Sequence, residues 1–201
     1  MLYAIRNNPR EQEAAVDRLF LDRWSPRAFS HDPVDVEDLK ALFEAARWAP
    51  SCYGEQPWLF VYADTWQDRQ RFRPLLTDAN RVWAYHAPVL AFLFTRRSFT
   101  RNGKENRWAG FDAGAAWMAL TFQARLKGLF THAMAGFKEE EVYEALGVPE
   151  ADYRAMAAIA IGYKDKSDIL PEELQEMERP NGRKPLAEIA FEGVFKAGDT
   201  K

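Results

Sequence analysis

Between Trp108 and Lys127 the chain carries Trp108, Phe111, Ala115, Met118, Phe122 and Leu126 at helical spacing, and its other faces hold Ala113, Gly114, Ala116 and Ala119. A helix that is apolar around its circumference has no side to give to water, so it must be enclosed. Its small residues allow another helix to come close. Gly128 stops it. This predicts a buried central helix over 108–127. Pro88 to Thr95 adds a second constraint, because a continuous apolar run of that length suits a strand buried on both faces.

The remaining elements follow from periodicity and punctuation. Strands are expected at 59–63, 129–135 and 153–163. A helix is expected from Glu11 to about Asp22, with Ala15, Val16, Leu19 and Phe20 in register. Asp35 reads as an N-cap with Asp38 three residues on, opening a helix over 36–48 whose stripe is Val36, Leu39, Phe43 and Ala46; Pro50 ends it. Further helices are expected at 66–76, with Arg69, Arg71 and Arg73 in solvent, at 80–85 and at 138–146. Two prolines and a glycine shape the segment 49–58 into a loop. The cationic stretch 96–107, with Asn102-Gly103, is expected to be a mobile excursion. Residues 165–184 read as a surface excursion. The apolar end Ile189 to Phe195 needs something to lie on. We find no repeat or linker, and the length fits one domain over 1–201.

Composition narrows the function. A net charge of −3 argues against non-specific nucleic-acid binding. The single cysteine, Cys52, excludes an intrachain disulfide and fits a reducing, cytoplasmic setting. No apolar run has signal-peptide or membrane-span length. There is no Gly-x-Gly-x-x-Gly, no P-loop and no Gly-x-Ser-x-Gly elbow, and the three histidines are too scattered for a zinc spacing. No metal site is expected.

Arg23-Trp24-Ser25-Pro26-Arg27 is the most suggestive polar stretch. Pro26 has no N–H and disfavours helix at Ser25, so the segment should be extended. Alternate side chains of an extended chain share a face, which puts Arg23, Ser25 and Arg27 together. Two guanidinium forks and a hydroxyl make a receptor for phosphate or carboxylate. The same spacing also suits a solvated turn with two surface arginines. Cys52 with His132 could form a nucleophilic pair, or Cys52 could be a small buried hydrophobe. Asp112, inside the apolar helix, is either catalytic or a buried carboxylate satisfied by a backbone donor or an arginine.

Taken in order, Arg23-Trp-Ser-Pro-Arg27-Ala-Phe29, Ala49-Pro-Ser-Cys-x-x-x-Gln56-Pro57-Trp58, the small-residue helix, Gly136-Phe137 and Arg183-Lys-Pro-Leu186 before an apolar end resemble the nitroreductase-like family of FMN flavoproteins. The resemblance implies an α+β fold, with a central, mostly antiparallel sheet flanked by helices, in an intertwined homodimer. It implies FMN as cofactor and NAD(P)H as electron donor, with an electron-poor aromatic or quinone acceptor taking the same site afterwards. Neither nucleic acid nor membrane is an expected partner.

By the same resemblance, Arg23 and Arg183 grip the FMN phosphate with help from Ser25, and Arg27 sits by the pyrimidine edge of the flavin. Pro50, Ser51 and Cys52 come from the other subunit. Asn80 reaches the flavin edge, the backbone around Ala135 and Gly136 approaches N5, and His132 and Met134 line the cofactor. Trp24, Gly54, Gln56, Ala133 and Lys184 complete the expected cofactor-binding set. Gly136 suits a close backbone approach to a ligand. Gly54 stands where the family often has Asn, and Cys52 where it often has Ser. The resemblance names no catalytic acid or base. Its alternatives are a flavin-binding protein without turnover, reductive dehalogenation and flavin breakdown.

Overall fold

A computed structural model of the protein describes residues 8–195. Four strands, β1 (Trp58–Ala63), β2 (Val89–Arg96), β3 (Phe130–Met134) and β4 (Tyr153–Gly162), form one sheet in the order β1-β2-β4-β3. Every pairing is antiparallel, with Phe92 opposite Val61 and Ala158, and His132 opposite Ala160. The sheet has a core on each face because its central strands are apolar on both. Phe92, Phe94, Ala158 and Ala160 point to one layer, and Ala91, Leu93, Ile159 and Ile161 to the other.

The second layer is helical. α2 (Val36–Arg47) and α5 (Ala109–Leu126) pack on the sheet through Leu39, Leu42 and Ala46 of one and Ala113, Ala116, Leu120 and Ala124 of the other. Asp35 caps α2 as its sequence implied, accepting the N–H groups of Glu37 and Asp38. Asp38 does not complete a reciprocal capping box; it pairs with Lys127 at 2.8 Å and so ties α2 to the end of α5. On the opposite face lie α3 (Trp66–Phe72), α4 (Asp78–Ala84) and α6 (Glu139–Leu146), closed by Gly147 in the left-handed conformation.

Three expectations are corrected. First, the N-terminal helix is only α1 (Arg18–Asp22). Asp17 is extended and caps it, while Arg10 and Glu13 bond to Asn181 and Leu186 rather than into a helix of their own. Second, Arg73 is buried. Its guanidinium lies between the rings of Trp66 and Tyr85, 4.6 and 3.8 Å from their centroids, and donates to the Tyr85 carbonyl at 2.8 Å. Trp66 belongs to the same helical stretch, but Tyr85 follows α4, and periodicity cannot see a ring partner that comes from another element.

Third, α5 is not enclosed within the chain. Ala109, Ala113, Ala116 and Ala124 are buried, while Phe111 is 80% exposed and Trp108, Met118 and Leu126 also face outward. The sheet and α2 approach too closely for the large side chains, so the small face fills the intramolecular contact. The stretch 96–107 is a hydrogen-bonded hairpin, with Ser98 bridging Glu105 and Phe99 N–H donating to the Lys104 carbonyl at 2.8 Å. Glu55 holds its tip by accepting from the Thr100 N–H at 2.7 Å. The apolar end from Ile189 to Phe195 is exposed at Ile189, Val194 and Phe195.

Candidate functional site

The extended segment after α1 crosses the edge strand β3 and makes a cavity of about 360 Å³ with the C-terminal excursion. Its walls carry Arg23, Trp24, Ser25 and Arg27 from the first segment, His132 from β3, and Met177, Arg179, Asn181 and Arg183 from the excursion. Arg23, Ser25 and Arg27 thus share one face, as an extended chain requires. Arg23 Nη1 lies 3.4 Å from Ser25 Oγ. Glu178 fastens the two segments together, its carboxylate accepting the N–H groups of Arg27 at 3.0 Å and Ala28 at 2.9 Å.

The electrostatics of this cavity are one-sided. Four guanidiniums line it and no carboxylate does. Among the described residues none of the four forms an ion pair with a carboxylate. Burial, and then the charge of Arg183, holds Arg23 below the usual arginine range. Gathering like charges around a buried Arg23 is unfavourable unless an anion completes the set. The donors present fit a phosphate monoester, which takes guanidinium forks and a hydroxyl donor.

His132 sits at the cavity floor against Trp83, with ring centroids 4.6 Å apart. Its Nδ1 is 2.9 Å from the Pro26 carbonyl. A carbonyl can only accept, so Nδ1 carries the proton and Nε2 presents a lone pair. Burial pushes the His132 pKa down to about 4, aided by Arg27 and Arg23. The ring is therefore neutral near pH 7 and adds no charge to the cluster.

The other expected residues are placed elsewhere in the chain. Pro50, Ser51, Cys52, Gly54 and Gln56 form a tight loop after α2, with Tyr53 and Gln56 at positive φ, and do not line the cavity. This loop is held by Asp112, whose Oδ2 accepts the Cys52 N–H at 3.1 Å, and by Ser51 Oγ, which accepts the Gln56 N–H at 2.9 Å. Asp112 is thus a buried carboxylate satisfied by a backbone donor. No hydrogen bond joins Cys52 to His132 among the described residues, so the nucleophilic pair is not assembled. Met134 is 3% exposed and belongs to the core rather than the cavity wall, and Ala133 faces the helical layer.

Asn80 Nδ2 donates to the Gly136 carbonyl at 2.9 Å, and Thr77 Oγ1 donates to the same oxygen at 3.1 Å. A Cβ at Gly136 would stand 2.5 Å from Asn80 Nδ2. Within this chain the glycine is needed for that packing, a reason different from close approach to a ligand. Lys184 lines a second, larger groove of about 840 Å³ together with Arg10, Phe20, Trp117 and Phe122.

The nitroreductase family profile matches residues 21–82 and 75–163 of the chain, from the Arg23 segment through the last strand. The chain belongs to the nitroreductase family. A crystal structure described as an oxidoreductase containing FMN is 42% identical, with a TM-score of 0.90 over 96% of this chain and 98% of that one. A Xanthomonas oryzae pv. oryzae protein provisionally named NADH dehydrogenase/NAD(P)H nitroreductase is 27% identical over 178 residues, 79% of this chain and 89% of its own. A Streptomyces coelicolor protein with the same provisional name is 35% identical over 91 residues, and the match spans 45% of each chain. The α+β fold with an antiparallel sheet is thus the nitroreductase fold.

The family match includes Arg23, Ser25, Arg27 and His132 and ends before Met177, Glu178, Arg179, Asn181 and Arg183. Of this C-terminal group, sequence reasoning selected only Arg183. Arg179-Pro-Asn-Gly-Arg183, two arginines bracketing a Pro/Gly turn, was a readable signal for the rest. Arg10 gave no such signal, because its role depends on contacts with Leu21, Arg23 and Asn181. Among the described residues, no helix is long and apolar enough to cross a membrane.

Proposed function

We propose that this nitroreductase-family protein is an FMN-dependent oxidoreductase that takes electrons from NAD(P)H and reduces electron-poor acceptors such as nitroaromatics or quinones, working as a homodimer in the cytoplasm. The observation that carries this reading is the cavity of unpaired guanidiniums beside Ser25 and neutral His132. The FMN-containing relative of the same fold supports it. When bound, FMN supplies the two-electron carrier between the nicotinamide donor and the acceptor.

The chain's own residues do the holding and tuning. Arg23 and Arg183 bind the phosphate through charge-assisted hydrogen bonds, with Ser25 as a further donor. Arg27 stands by the pyrimidine edge of the ring and favours the negative charge that develops there. His132 offers a lone pair at Nε2 and carries no proton to spare above pH 4. The loop Pro50–Ser51–Cys52, tied down by Asp112, covers the cofactor held by the other subunit, and Asn80 with Gly136 shapes the edge of the ring site. The hairpin 96–107, whose Arg101 lies 3.7 Å over the Tyr53 ring, sets acceptor choice. The outward face of α5, with Phe111 and Met118, is covered by the second copy.

The test begins with the purified protein. We expect a yellow protein with about one FMN per chain, as one such cavity per chain implies; denaturation and chromatography identify the released flavin. NADH or NADPH should then bleach it, and a nitroaromatic or quinone should restore the colour with turnover. Colourless protein that cannot be reconstituted with FMN would overturn the reading. Flavin that NAD(P)H does not bleach would make this a binding protein without turnover.

A further inference from the structure

Arg10 lies outside the lining of the guanidinium cavity, yet it touches both segments that build it. Its Nη1 donates to the Leu21 carbonyl at 2.9 Å and to the Arg23 carbonyl at 2.5 Å. Its Nε donates to the Asn181 carbonyl at 2.8 Å, and its Nη2 to Asn181 Oδ1 at 2.9 Å. The same Oδ1 accepts from Arg183 Nη1 at 2.9 Å. One amide oxygen therefore joins two cations, while one guanidinium holds the backbone of a third. The residues so joined are 171 positions apart in the chain.

These partners are neutral oxygens. Arg10 forms no ion pair among the described residues, and Asp22 acts on it only as a background charge. Burial, with the neighbouring charges of Arg183 and Arg23, lowers the Arg10 pKa to about 10. A carboxylate at position 181 would have relieved this repulsion. An amide instead fixes geometry and leaves the positive charge unspent, as a receptor for an anion requires.

We infer that Arg10 is a positioning residue which, through Asn181, sets the spacing of Arg23 and Arg183 for a phosphate ester. The inference rests on the proposed function where it takes that ester to be FMN. The fork matters as well as the charge. An ammonium is a point donor and cannot serve the Leu21 and Arg23 carbonyls on one side and both oxygens of Asn181 on the other. Arg10→Lys therefore keeps the charge and breaks the clasp. Asn181→Ala breaks it from the exposed side.

The experiment measures FMN and riboflavin affinity, by flavin fluorescence, for the full-length wild type, Arg10→Lys and Asn181→Ala. Riboflavin lacks the phosphate, so a positioning role shows as a change in the ratio of the two affinities. We expect each variant to lose about tenfold in FMN affinity with riboflavin unchanged. Equal losses for both flavins, or no loss, would overturn the inference. If Arg10→Lys does not fold by circular dichroism, Asn181→Ala decides alone. If the wild type binds neither flavin, the proposed function fails, and inorganic phosphate titrated into the same proteins decides the clasp. About tenfold weaker phosphate binding in the variants supports it. Unchanged phosphate affinity, or none in the wild type, overturns it.

Discussion

The carboxylate of Asp112, in the first turn of α5, accepts the backbone N–H of Cys52 at 3.1 Å. Asp112 is 2% exposed, and its charge faces the loop that follows α2. A carboxylate in a largely apolar helix thereby fixes a segment that, alone among the described residues, combines two prolines, a glycine and two non-glycine residues at positive φ. The tether holds Cys52 against the first turn of α5, with Ser51 and Cys52 half-buried and Pro50 exposed.

Removing the Asp112 tether should therefore be costly. Asp112→Ala leaves the Cys52 N–H without its acceptor and is expected to lower stability by about 1–3 kcal/mol. Asp112→Asn keeps an acceptor oxygen and should lose less. Urea denaturation measures the difference. The rate at which a thiol reagent labels Cys52 should rise in the alanine variant, and an unchanged rate would show that the loop is held by other contacts.

His132 makes stability depend on acidity. The unfolded chain takes up this proton near the ordinary value of 6.5, the folded chain only near 4. The unfolded state thus binds more protons between those values, so stability is full above about pH 6.5 and falls as pH drops towards 4. We expect about 2 kcal/mol less stability at pH 5 than at pH 7 from this group. His86, also held below its ordinary value by burial, beside His31, adds a loss of the same sign. Denaturation of wild type and His132→Phe at both pH values isolates the His132 share as a shallower slope in the variant.

The arginines of the cavity should separate by role. Arg23→Ala and Arg183→Ala each remove a charge-assisted contact to phosphate, worth about 1.5–3 kcal/mol, and should weaken FMN binding by roughly 10–100-fold. Arg27→Ala should act more on the flavin reduction potential, lowering it, with a smaller effect on affinity. Wild-type FMN affinity in Arg23→Ala would show that the phosphate is held elsewhere.

Gly136 admits no side chain without movement. The Cβ of alanine would meet Asn80 Nδ2 at 2.5 Å and Thr77 Oγ1 at 2.8 Å. Relief requires Asn80 to swing away from the Gly136 carbonyl, so Gly136→Ala is expected to lose about 1–3 kcal/mol of stability. A thermal melt reads the loss, and the paired variant Gly136→Ala with Asn80→Ala should recover part of it.

The exposed apolar face of α5 should be an interface between copies. Phe111→Lys places a charge at its most exposed aromatic position and is expected to give a monomer that no longer retains FMN. Sedimentation over a wide concentration range checks this. Deleting residues 187–201 should remove dimer and flavin together. A stable wild-type monomer that keeps FMN would defeat the prediction.

Much of this molecule was legible from residue order alone. The apolar run into Thr95 was a strand buried on both faces because no alternative face exists for it to give to water. Asp35 capped its helix, Gly147 ended another, and Pro26 held Arg23, Ser25 and Arg27 extended on one side. These are local matters of period, capping and φ; the family resemblance rested instead on motifs in order, from Arg23-Trp-Ser-Pro-Arg27 to Arg183-Lys-Pro-Leu186. What only the tertiary structure decided is which face goes where. α5 is apolar all round, so its pattern cannot say whether Phe111 or Ala116 meets the sheet; the close packing of α2 and β2 chose the small side. Arg73 was buried with the help of the Tyr85 ring, which arrives from another element. The helix expected from Glu11 gave way because Arg10 and Glu13 found partners more than 170 positions away. Contacts of that separation carry no period in the sequence, and they exist only once the chain has closed on itself.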